Sequence, residues 1–228
     1  MKRSQINAII KDTIAFAQKS GFHLPSFTAW TPEEWARKGH EFDEIRDNKL
    51  GWDITDYGLG DFNRVGMALV TIRNGNQKDP RYDKPYAEKL LVLQEGQLSP
   101  MHFHWFKMED IINRAGGNLL LDLYNAAEDG SLANTEVMVS QDGRNYMVAA
   151  CATIRLTPGE SITLRKGTYH NIYVENGFGP VLIGEVSLCN DDETDNRFQE
   201  PIGRFPVIEE DEPPFRLLCN EYPPAPQV

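Results

Sequence analysis

Three histidines and one glutamate, in two separate segments, have the spacing of a metal site. His102 and His104 lie two residues apart between Gly96 and Gly116. Alternate residues of a β-strand face the same side, so both imidazoles would point in one direction. Glu109 is five residues beyond His104 and would face the other side of a continuous strand. We therefore predict a turn through residues 105–107, after which a neighbouring strand returns the carboxylate to the same metal.

The third histidine, His170, follows Gly167 in the segment 159–174. The glycine favours a tight turn, and a strand beginning after it would have His170 facing inward. Three imidazoles and one carboxylate suit Mn²⁺, Fe²⁺, Co²⁺, Ni²⁺ or Zn²⁺, with positions left for water or substrate. Ca²⁺ and Mg²⁺ prefer oxygen ligands and fit poorly. We predict one divalent metal ion per chain, bound by His102, His104, Glu109 and His170.

The elements that must position these residues are short strands preceded by helices. Residues 4–20 carry apolar side chains at helical spacing, which predicts an amphipathic helix. A second helix is predicted to begin at Thr31, because Thr31 and Glu34 form a capping box with Pro32 at the first helical position. From about residue 64 to residue 188, short β-type segments alternate with Gly, Asn and Asp turns. This texture is typical of an antiparallel barrel or sandwich.

The chain shows no boundary that would divide it into two domains. All-β barrels often reach about 200 to 250 residues without splitting, and this chain has 228. We expect a single domain over residues 1–228, with an N-terminal helical and loop extension over 1–60. The barrel would span about 64–188, and an acidic, then proline-rich C-terminal extension over 189–228 would wrap it.

The two histidine segments resemble the motifs of the cupin superfamily. Every fixed position of the first motif is present, as Gly96, His102, His104, Glu109 and Gly116. The second motif is matched at Gly159, Gly167 and His170, whereas Arg165 replaces its proline and Val174 its asparagine. Neither departure removes a metal ligand. The resemblance implies an all-β cupin barrel, a jelly-roll-like double-stranded β-helix, with N-terminal α-helices and an irregular C-terminal extension.

Longer stretches, over 51–66, 88–124 and 186–198, make the chain similar to the D-lyxose isomerase family of cupins. This likeness extends over nearly the whole chain. It implies a sugar isomerase that interconverts D-lyxose with D-xylulose, and D-mannose with D-fructose, assisted by Mn²⁺ or a similar ion. Such a reaction moves a hydrogen between C1 and C2, so it needs a Lewis acid at the sugar oxygens and a group that shuttles the proton.

Four further residues are candidates for the proton transfer and for substrate binding. If Glu185 shares a face with Ile183 in the strand 181–188, its carboxylate lies inside the barrel and could act as the base. Lys107, in the turn between two ligands, could hold a sugar oxygen or protonate O1. Lys89 and Asp191 could each bind a substrate hydroxyl. The alternative for all four is a solvated charge at the barrel mouth.

Other functions of the same site remain open at this point. A phosphoglucose isomerase of the cupin type would need a phosphate cradle, for which Arg165 and Lys166 are the only candidates. A non-haem iron dioxygenase would use the same ligands. A non-catalytic sugar-binding or regulatory cupin is the alternative that is not an enzyme, although such chains usually carry a DNA-binding helix-turn-helix and often lose ligands.

Composition limits the partners and the compartment. The net charge of −11 argues against nucleic acid and anionic membranes, both of which need a basic surface. Three scattered cysteines, Cys151, Cys189 and Cys219, fit structural thiols in a reducing compartment. We therefore expect a cytoplasmic enzyme whose partner is a small sugar. A homodimer is expected because cupins commonly form dimers.

Overall fold

A long amphipathic helix opens the chain. The computed structural model describes residues 1–192 and 194–227. Helix α1 spans Arg3–Lys19 and buries Ile6, Ile10 and Ala17. It begins one residue before the predicted start because the Gln5 side chain accepts a hydrogen bond from the Lys2 backbone N–H. Ser4 is therefore inside the helix, where its hydroxyl donates to Asp211 of the C-terminal segment.

Shorter helical segments follow. They comprise helix α2 (Pro32–Trp35), helix α3 (Asp43–Asp47) and single 3₁₀ turns at Ser26–Ala29 and His40–Phe42. The predicted capping box at α2 is present, since the Glu34 backbone N–H donates to Thr31 Oγ1 at 3.2 Å and the Thr31 N–H donates to Glu34 Oε2 at 2.8 Å. Trp30 packs edge-on against Trp35, with ring centroids 5.1 Å apart.

Two antiparallel sheets form the body of the protein. The strands in chain order are β1 Gly51–Thr55, β2 Met67–Asn74, β3 Tyr86–Leu93, β4 Leu98–His104, β5 Glu109–Gly116, β6 Leu119–Ala126, β7 Leu132–Ala133, β8 Val137–Gln141, β9 Arg144–Val148, β10 Ala152–Leu156, β11 Ser161–Leu164, β12 Thr168–Val174, β13 Val181–Leu188 and β14 Asn196–Phe198. The larger sheet has the order β1-β2-β3-β13-β5-β11-β8-β9, and the smaller sheet has the order β10-β6-β12-β4-β14 with β7 beside β6.

Apolar side chains from both sheets meet in one core, which includes Leu69 and Ile183 of the larger sheet and Leu121 and Ile172 of the smaller. A second apolar cluster lies on the other face of the larger sheet, where α1 packs against residues such as Trp52 and Leu90. One face of the larger sheet therefore points into the barrel and the other is covered by the N-terminal helix.

Two strands lie outside the predicted limits of the barrel. β1 falls in the N-terminal extension, and all five of its residues are buried, so it lacks the alternation that marks a half-exposed strand. β14 falls in the C-terminal extension and has only three residues. Around β14 that extension is irregular, as expected. Cys189 and Cys219 are buried, whereas Cys151 is exposed in a turn with φ of 63°, so it does not fill the core.

The C-terminal segment binds back onto the N-terminal helix. The Arg3 side chain is 2% exposed and forms ion pairs with Glu210 and Glu221. Asn7 Nδ2 donates to Glu212 Oε1 at 2.6 Å, and the Phe215 N–H donates to Asn7 Oδ1 at 2.8 Å. Among the described residues, no helix combines the length and the apolar character that crossing a bilayer requires.

Candidate metal centre and active site

Three imidazoles converge inside the barrel. His102 and His104 face inward from β4, and His170 comes from the adjacent antiparallel strand β12, where it pairs directly with His102. The ring centroids of His102 and His170 are 4.3 Å apart. One nitrogen from each of the three rings lies within 4.8 Å of the others, which is the arrangement needed to share one ion.

Glu109 joins this cluster from the other sheet. The chain leaves β4 at His104, turns through residues 105–108 and enters β5 at Glu109, as the change of parity predicts. Glu109 Oε1 lies 3.3 Å from His104 Nε2 and 3.1 Å from His170 Nε2. The turn thus connects two donors in different sheets and brings a carboxylate to the imidazoles.

The hydrogen bonds around the rings leave nitrogen lone pairs directed at the cluster. His102 Nδ1 lies 2.8 Å from the Pro100 carbonyl oxygen, and His170 Nδ1 lies 3.1 Å from that of Thr168. A carbonyl can only accept, so Nδ1 carries the proton in both rings and Nε2 is free to bind a metal. Among the described residues, His170 Nε2 and both ring nitrogens of His104 are buried without a hydrogen-bond partner. These orphaned atoms fit a metal ion.

The charge states of the cluster also suit a metal ion. Burial lowers the pKa of His102 well below its usual value, and burial with the nearby Lys107 ammonium lowers the pKa of His104. Burial would raise the pKa of Glu109, but Lys107 and His104 outweigh it and hold that pKa well below the ordinary range. Neutral imidazoles and an ionised carboxylate are the forms that bind a divalent transition metal.

Lys107, Glu185 and Lys89 form a buried row of alternating charge beside the cluster. Lys107 Nζ lies 2.7 Å from Glu109 Oε2 and 2.8 Å from Glu185 Oε1. Glu185 on β13 pairs across the strands with Lys89 on β3, whose Nζ is 3.4 Å from Glu185 Oε1. Burial opposes the charged form of Lys107, but the two carboxylates raise its pKa above the ordinary lysine value. The structure therefore brings three of the four predicted helper residues next to the histidine–glutamate cluster.

Asp191, the fourth predicted helper, is not in this row. Its carboxylate lies 2.7 Å from Lys78 Nζ and accepts a hydrogen bond from Thr194. The adjacent Asp192 takes the inner position instead, with Oδ1 4.0 Å from Lys89 Nζ. The segment after β13 has no regular strand at this point, so the sequence offers no parity from which to choose between the two aspartates.

Arg204 and Tyr57 also reach the site and were not predicted. Arg204 Nη2 lies 3.2 Å from Asp192 Oδ2 and also contacts Asp53. Burial would raise the pKa of Asp192, but the positive charges of Lys89 and Arg204 outweigh it and hold that pKa well below its ordinary value. The Tyr57 hydroxyl is 2.8 Å from Ser99 Oγ, and burial raises its pKa to about 12. Both residues come from irregular segments, which carry no hydrophobic periodicity to indicate their direction.

These side chains surround a small cavity, here called the inner cavity. Its polar wall comprises the histidine–glutamate cluster, the row of charges, Asp192, Arg204 and Tyr57, and its apolar wall includes Leu69, Leu91 and Ile172. Acid, base and metal-binding groups therefore face one another in a buried space. A proton could be moved there close to an ion.

Comparison with known proteins identifies the family. The sequence model described as D-lyxose isomerase matches residues 1–222. A D-lyxose/D-mannose isomerase of Serratia proteamaculans is 49% identical over 97% of this chain and 98% of its own length, and one of Escherichia coli O157:H7 is 46% identical over the same shares. This chain belongs to the D-lyxose isomerase family.

Solved structures agree on the fold of this D-lyxose isomerase family member. L-ribose isomerase of Acinetobacter sp. DL28, in complex with L-ribose, superposes with a TM-score of 0.61 and 14% identity, covering 92% of this chain and 98% of that one. L-ribose isomerase of Cellulomonas parahominis, with L-psicose, gives 0.59 and 16% over the same shares. The predicted family, the all-β cupin barrel and the assignment as an isomerase are confirmed.

Proposed function

We propose that the protein is a metal-dependent aldose–ketose isomerase of free sugars, converting D-lyxose to D-xylulose and D-mannose to D-fructose. The relatives named D-lyxose/D-mannose isomerase support this substrate pair. The observation that carries the proposal is the direct contact between the histidine–glutamate cluster and the buried pair Lys107–Glu185. An aldose–ketose isomerase needs these two parts side by side.

One divalent ion, with Mn²⁺ favoured, would be held by His102, His104, Glu109 and His170. Co²⁺, Fe²⁺, Ni²⁺ and Zn²⁺ suit the same donors. A bound ion supplies Lewis-acid polarisation of the sugar carbonyl. The support is the orphaned nitrogens of His104 and His170 and their short distances to Glu109 Oε1.

Glu185 is proposed as the base that carries the proton between C1 and C2. Lys107 Nζ is within 2.8 Å of Glu185 Oε1, so a sugar held beside one of these groups is beside the other. Lys107 would donate a proton or a hydrogen bond to the sugar oxygen at the reacting end. Apolar side chains on the opposite wall exclude water, which favours proton return to the sugar over loss to solvent.

Lys89 and Asp192 are proposed to bind substrate hydroxyls farther along the sugar. Both side chains line the inner cavity, and an ammonium and a carboxylate together can donate to and accept from a hydroxyl. Asp192 is proposed in addition to the predicted Asp191, which lines the neighbouring larger cavity and contacts Lys78 and Thr194.

The test of the reaction is a panel of free aldoses and ketoses incubated with the metal-reconstituted protein, with products identified by chromatography. We expect interconversion of the two named pairs. Comparing kcat/KM for D-mannose and mannose 6-phosphate separates this function from a phosphosugar isomerase. A clear preference for the phosphate ester, or oxygen uptake without sugar isomerisation, would overturn the proposal.

The test of the metal site is replacement of each proposed ligand by alanine. His102→Ala, His104→Ala, Glu109→Ala and His170→Ala should each lose metal and activity together, because removing one of four donors opens the coordination shell. His40→Ala is the matched control, since His40 is exposed and contacts Asp43 instead. Full metal content in any of the four variants would remove that residue from the ligand set.

We also propose a single-domain, cytoplasmic homodimer that binds neither nucleic acid nor membranes. The net charge of −11 and the three free thiols support the compartment and the excluded partners. Exposed apolar side chains close to one another, Met108, Leu188 and Tyr86, offer a surface for a second copy. Sedimentation at micromolar concentration tests the dimer, and a monomer there would contradict it.

A further inference from the structure

Lys89 lies deep in the barrel, yet its carboxylate neighbours are not in close contact with it. The side chain is 6% exposed, and Nζ lies 3.4 Å from Glu185 Oε1 and 4.0 Å from Asp192 Oδ1. Both distances exceed the roughly 2.7 to 2.9 Å of a strong charge-assisted hydrogen bond. A lysine side chain is flexible, and its ammonium has three donors that need partners when it is buried. Another group must therefore hold Nζ in place.

Asn190 supplies the short contact. Among the residues that the structure describes, the shortest polar contact of Lys89 Nζ is with Asn190 Oδ1, at 2.5 Å. Lys107 Nζ lies 3.4 Å from the same oxygen, but two carboxylates hold it more closely, at 2.7 and 2.8 Å. The position of the Lys89 ammonium thus depends on Asn190, whereas that of Lys107 depends on the carboxylates.

Asn190 is itself held by a reciprocal pair of hydrogen bonds with Asn74. The Asn190 N–H donates to Asn74 Oδ1 at 2.9 Å, and Asn74 Nδ2 donates to the Asn190 carbonyl oxygen at 3.0 Å. Asn74 is the last residue of β2, and its own carbonyl oxygen accepts from Asn48 Nδ2 at 3.1 Å. Strand β3, which carries Lys89, lies between β2 and β13 in the sheet. These bonds fix the Asn190 backbone, and its side-chain oxygen faces Lys89.

Asn190 and Lys89 face different cavities. Lys89 lines the inner cavity, and Asn190 lines the neighbouring larger one. The amide therefore holds the ammonium from outside the inner cavity, and it does not itself contact a sugar bound there. Its oxygen is neutral, so it accepts a hydrogen bond without cancelling the positive charge. The remaining donors of the ammonium can bind a hydroxyl in the inner cavity.

We propose that Asn190 is a positioning residue, which holds the Lys89 ammonium where it binds a substrate hydroxyl. This inference rests on the proposed isomerase function and deepens it. Lys89 is proposed to bind a hydroxyl away from the reacting carbons, so Asn190 acts on substrate binding rather than on proton transfer. Without the amide oxygen, Lys89 Nζ can move toward Glu185 or Asp192, and the hydroxyl loses a donor that was already in place.

Asn190→Ala tests this role by a split between KM and kcat. The KM for D-lyxose should rise about tenfold or more while kcat falls less than about threefold, because the change removes a binding contact and leaves the base. Metal content should stay full. The backbone bonds with Asn74 remain, so the variant should fold. Asn145→Ala, at an exposed position of β9, is the control and should keep both constants close to normal.

A double-mutant cycle shows whether Asn190 acts through Lys89. Lys89→Met should raise KM at least as much as Asn190→Ala does. In the Lys89→Met background, Asn190→Ala should change KM less than about threefold, because the group that it positions is already absent. Asn74→Ala is a second variant, which releases the Asn190 backbone and keeps its amide. It should raise KM in the same way but less, and it should have little effect in the Lys89→Met background.

Crystal structures of the metal-loaded protein without sugar separate this inference from the reaction. In Asn190→Ala, Lys89 Nζ should move by about 1 Å or more, whereas Lys107 Nζ should stay within about 0.5 Å of its position, because only the first loses its nearest partner. If the unmodified protein isomerises no sugar, the proposed function fails, and these structures still decide whether Asn190 holds Lys89. An unmoved Lys89 ammonium, an unchanged KM, or a double variant whose KM rises by the product of the two separate factors would overturn the inference.

Discussion

At the residue scale, Lys107 connects the proposed metal ligands to the proposed base. Its ammonium lies within 2.8 Å of both Glu109 and Glu185, and its side chain is 3% exposed. A buried ammonium between two carboxylates fixes both of them, since moving either would leave a charge without a partner. The same group can therefore hold the ligand set in place and face the reacting end of a sugar.

Glu185→Gln tests the base. The amide keeps the shape and much of the hydrogen bonding but cannot take a proton, so kcat should fall by about 10² to 10⁴ while the metal content stays full. In D₂O, the unmodified enzyme should incorporate solvent deuterium at C1 or C2 of the product. Ser187→Ala, on the same face of β13, is the control and should keep kcat close to normal. Near-normal turnover by Glu185→Gln would exclude the proton shuttle by this residue.

At the element scale, the turn between β4 and β5 is the part that the site depends on most. It carries Lys107 and connects His104 to Glu109. A later segment holds it in place: Asp195 accepts hydrogen bonds from the backbone N–H groups of Phe106 at 2.7 Å and Lys107 at 3.0 Å. The Asp195 carbonyl oxygen also accepts from the Trp105 N–H at 3.1 Å. One carboxylate thus sets the direction of the whole turn.

Asp195→Ala should loosen the turn and lower kcat/KM by about 10- to 100-fold, because small displacements of positioned groups are costly. Metal affinity should weaken by a similar factor. Asp195→Asn keeps one acceptor and should lose less. Steady-state kinetics and metal titration check both effects, with Asp129→Ala as the control, since Asp129 accepts from the Ser131 N–H in an exposed turn. Unchanged kinetics in Asp195→Ala would show that the turn holds its shape without this carboxylate.

Regular strands explain what the sequence could predict of the site. His102 and His104 lie two residues apart on one strand, and Glu185 lies two residues from the apolar Ile183, so the shared direction within each pair followed from parity. The turn before Glu109 followed from the same argument. The cupin barrel was predicted from the resemblance of the motifs. Hydrophobic periodicity alone could not have distinguished this barrel from other antiparallel folds.

The residues that the sequence did not predict lie where parity gives no information. Asp53 is on a strand buried along its whole length, and Arg204 belongs to a segment without regular structure. Asp192 and Asp191 are adjacent and chemically identical, so only the path of the chain after β13 decides which of them faces inward. These positions depend on tertiary contacts, above all on the ion pair of Arg204 with Asp192.

At the scale of the whole molecule, the N-terminal helix and the C-terminal segment bind to each other beside the larger sheet. The backbones of Lys2 and Glu209 form an isolated parallel β-bridge. The buried guanidinium of Arg3 contacts the side chains of Glu210 and Glu221. The segment that carries Arg204 lies between β14 and this attachment. The position of Arg204 is therefore constrained by β14 on its N-terminal side and by the contacts with helix α1 on its C-terminal side.

Arg3→Ala should lower the free energy of unfolding by about 1 to 3 kcal/mol. This lies between the values for exposed and buried ion pairs, since Arg3 is buried while the Glu210 side chain is 58% exposed and can return to water. The melting temperature should fall by roughly 2 to 10 °C. Arg64→Ala, which breaks an exposed pair with Asp61, should cost at most about 1 kcal/mol. Equal losses in calorimetry for the two variants would show that the attachment contributes no more than a surface ion pair.

The buried ion pairs at the site also predict how stability depends on pH. Lys89 and Arg204 hold the folded-state pKa of Asp192 below its unfolded value, against the effect of burial. The stabilisation is therefore fully present above the unfolded pKa of about 3.9 and is lost as the pH falls toward the folded pKa. In urea denaturation of the metal-free protein, the unmodified chain should have a higher free energy of unfolding than Asp192→Asn. This difference should be constant from about pH 7 to pH 5 and should become smaller below about pH 4. The difference becomes smaller because, at low pH, protonation removes from the unmodified chain the same negative charge that the substitution removes. A difference that stays constant or widens down to pH 3 would mean that Asp192 does not stabilise the folded protein through its charge.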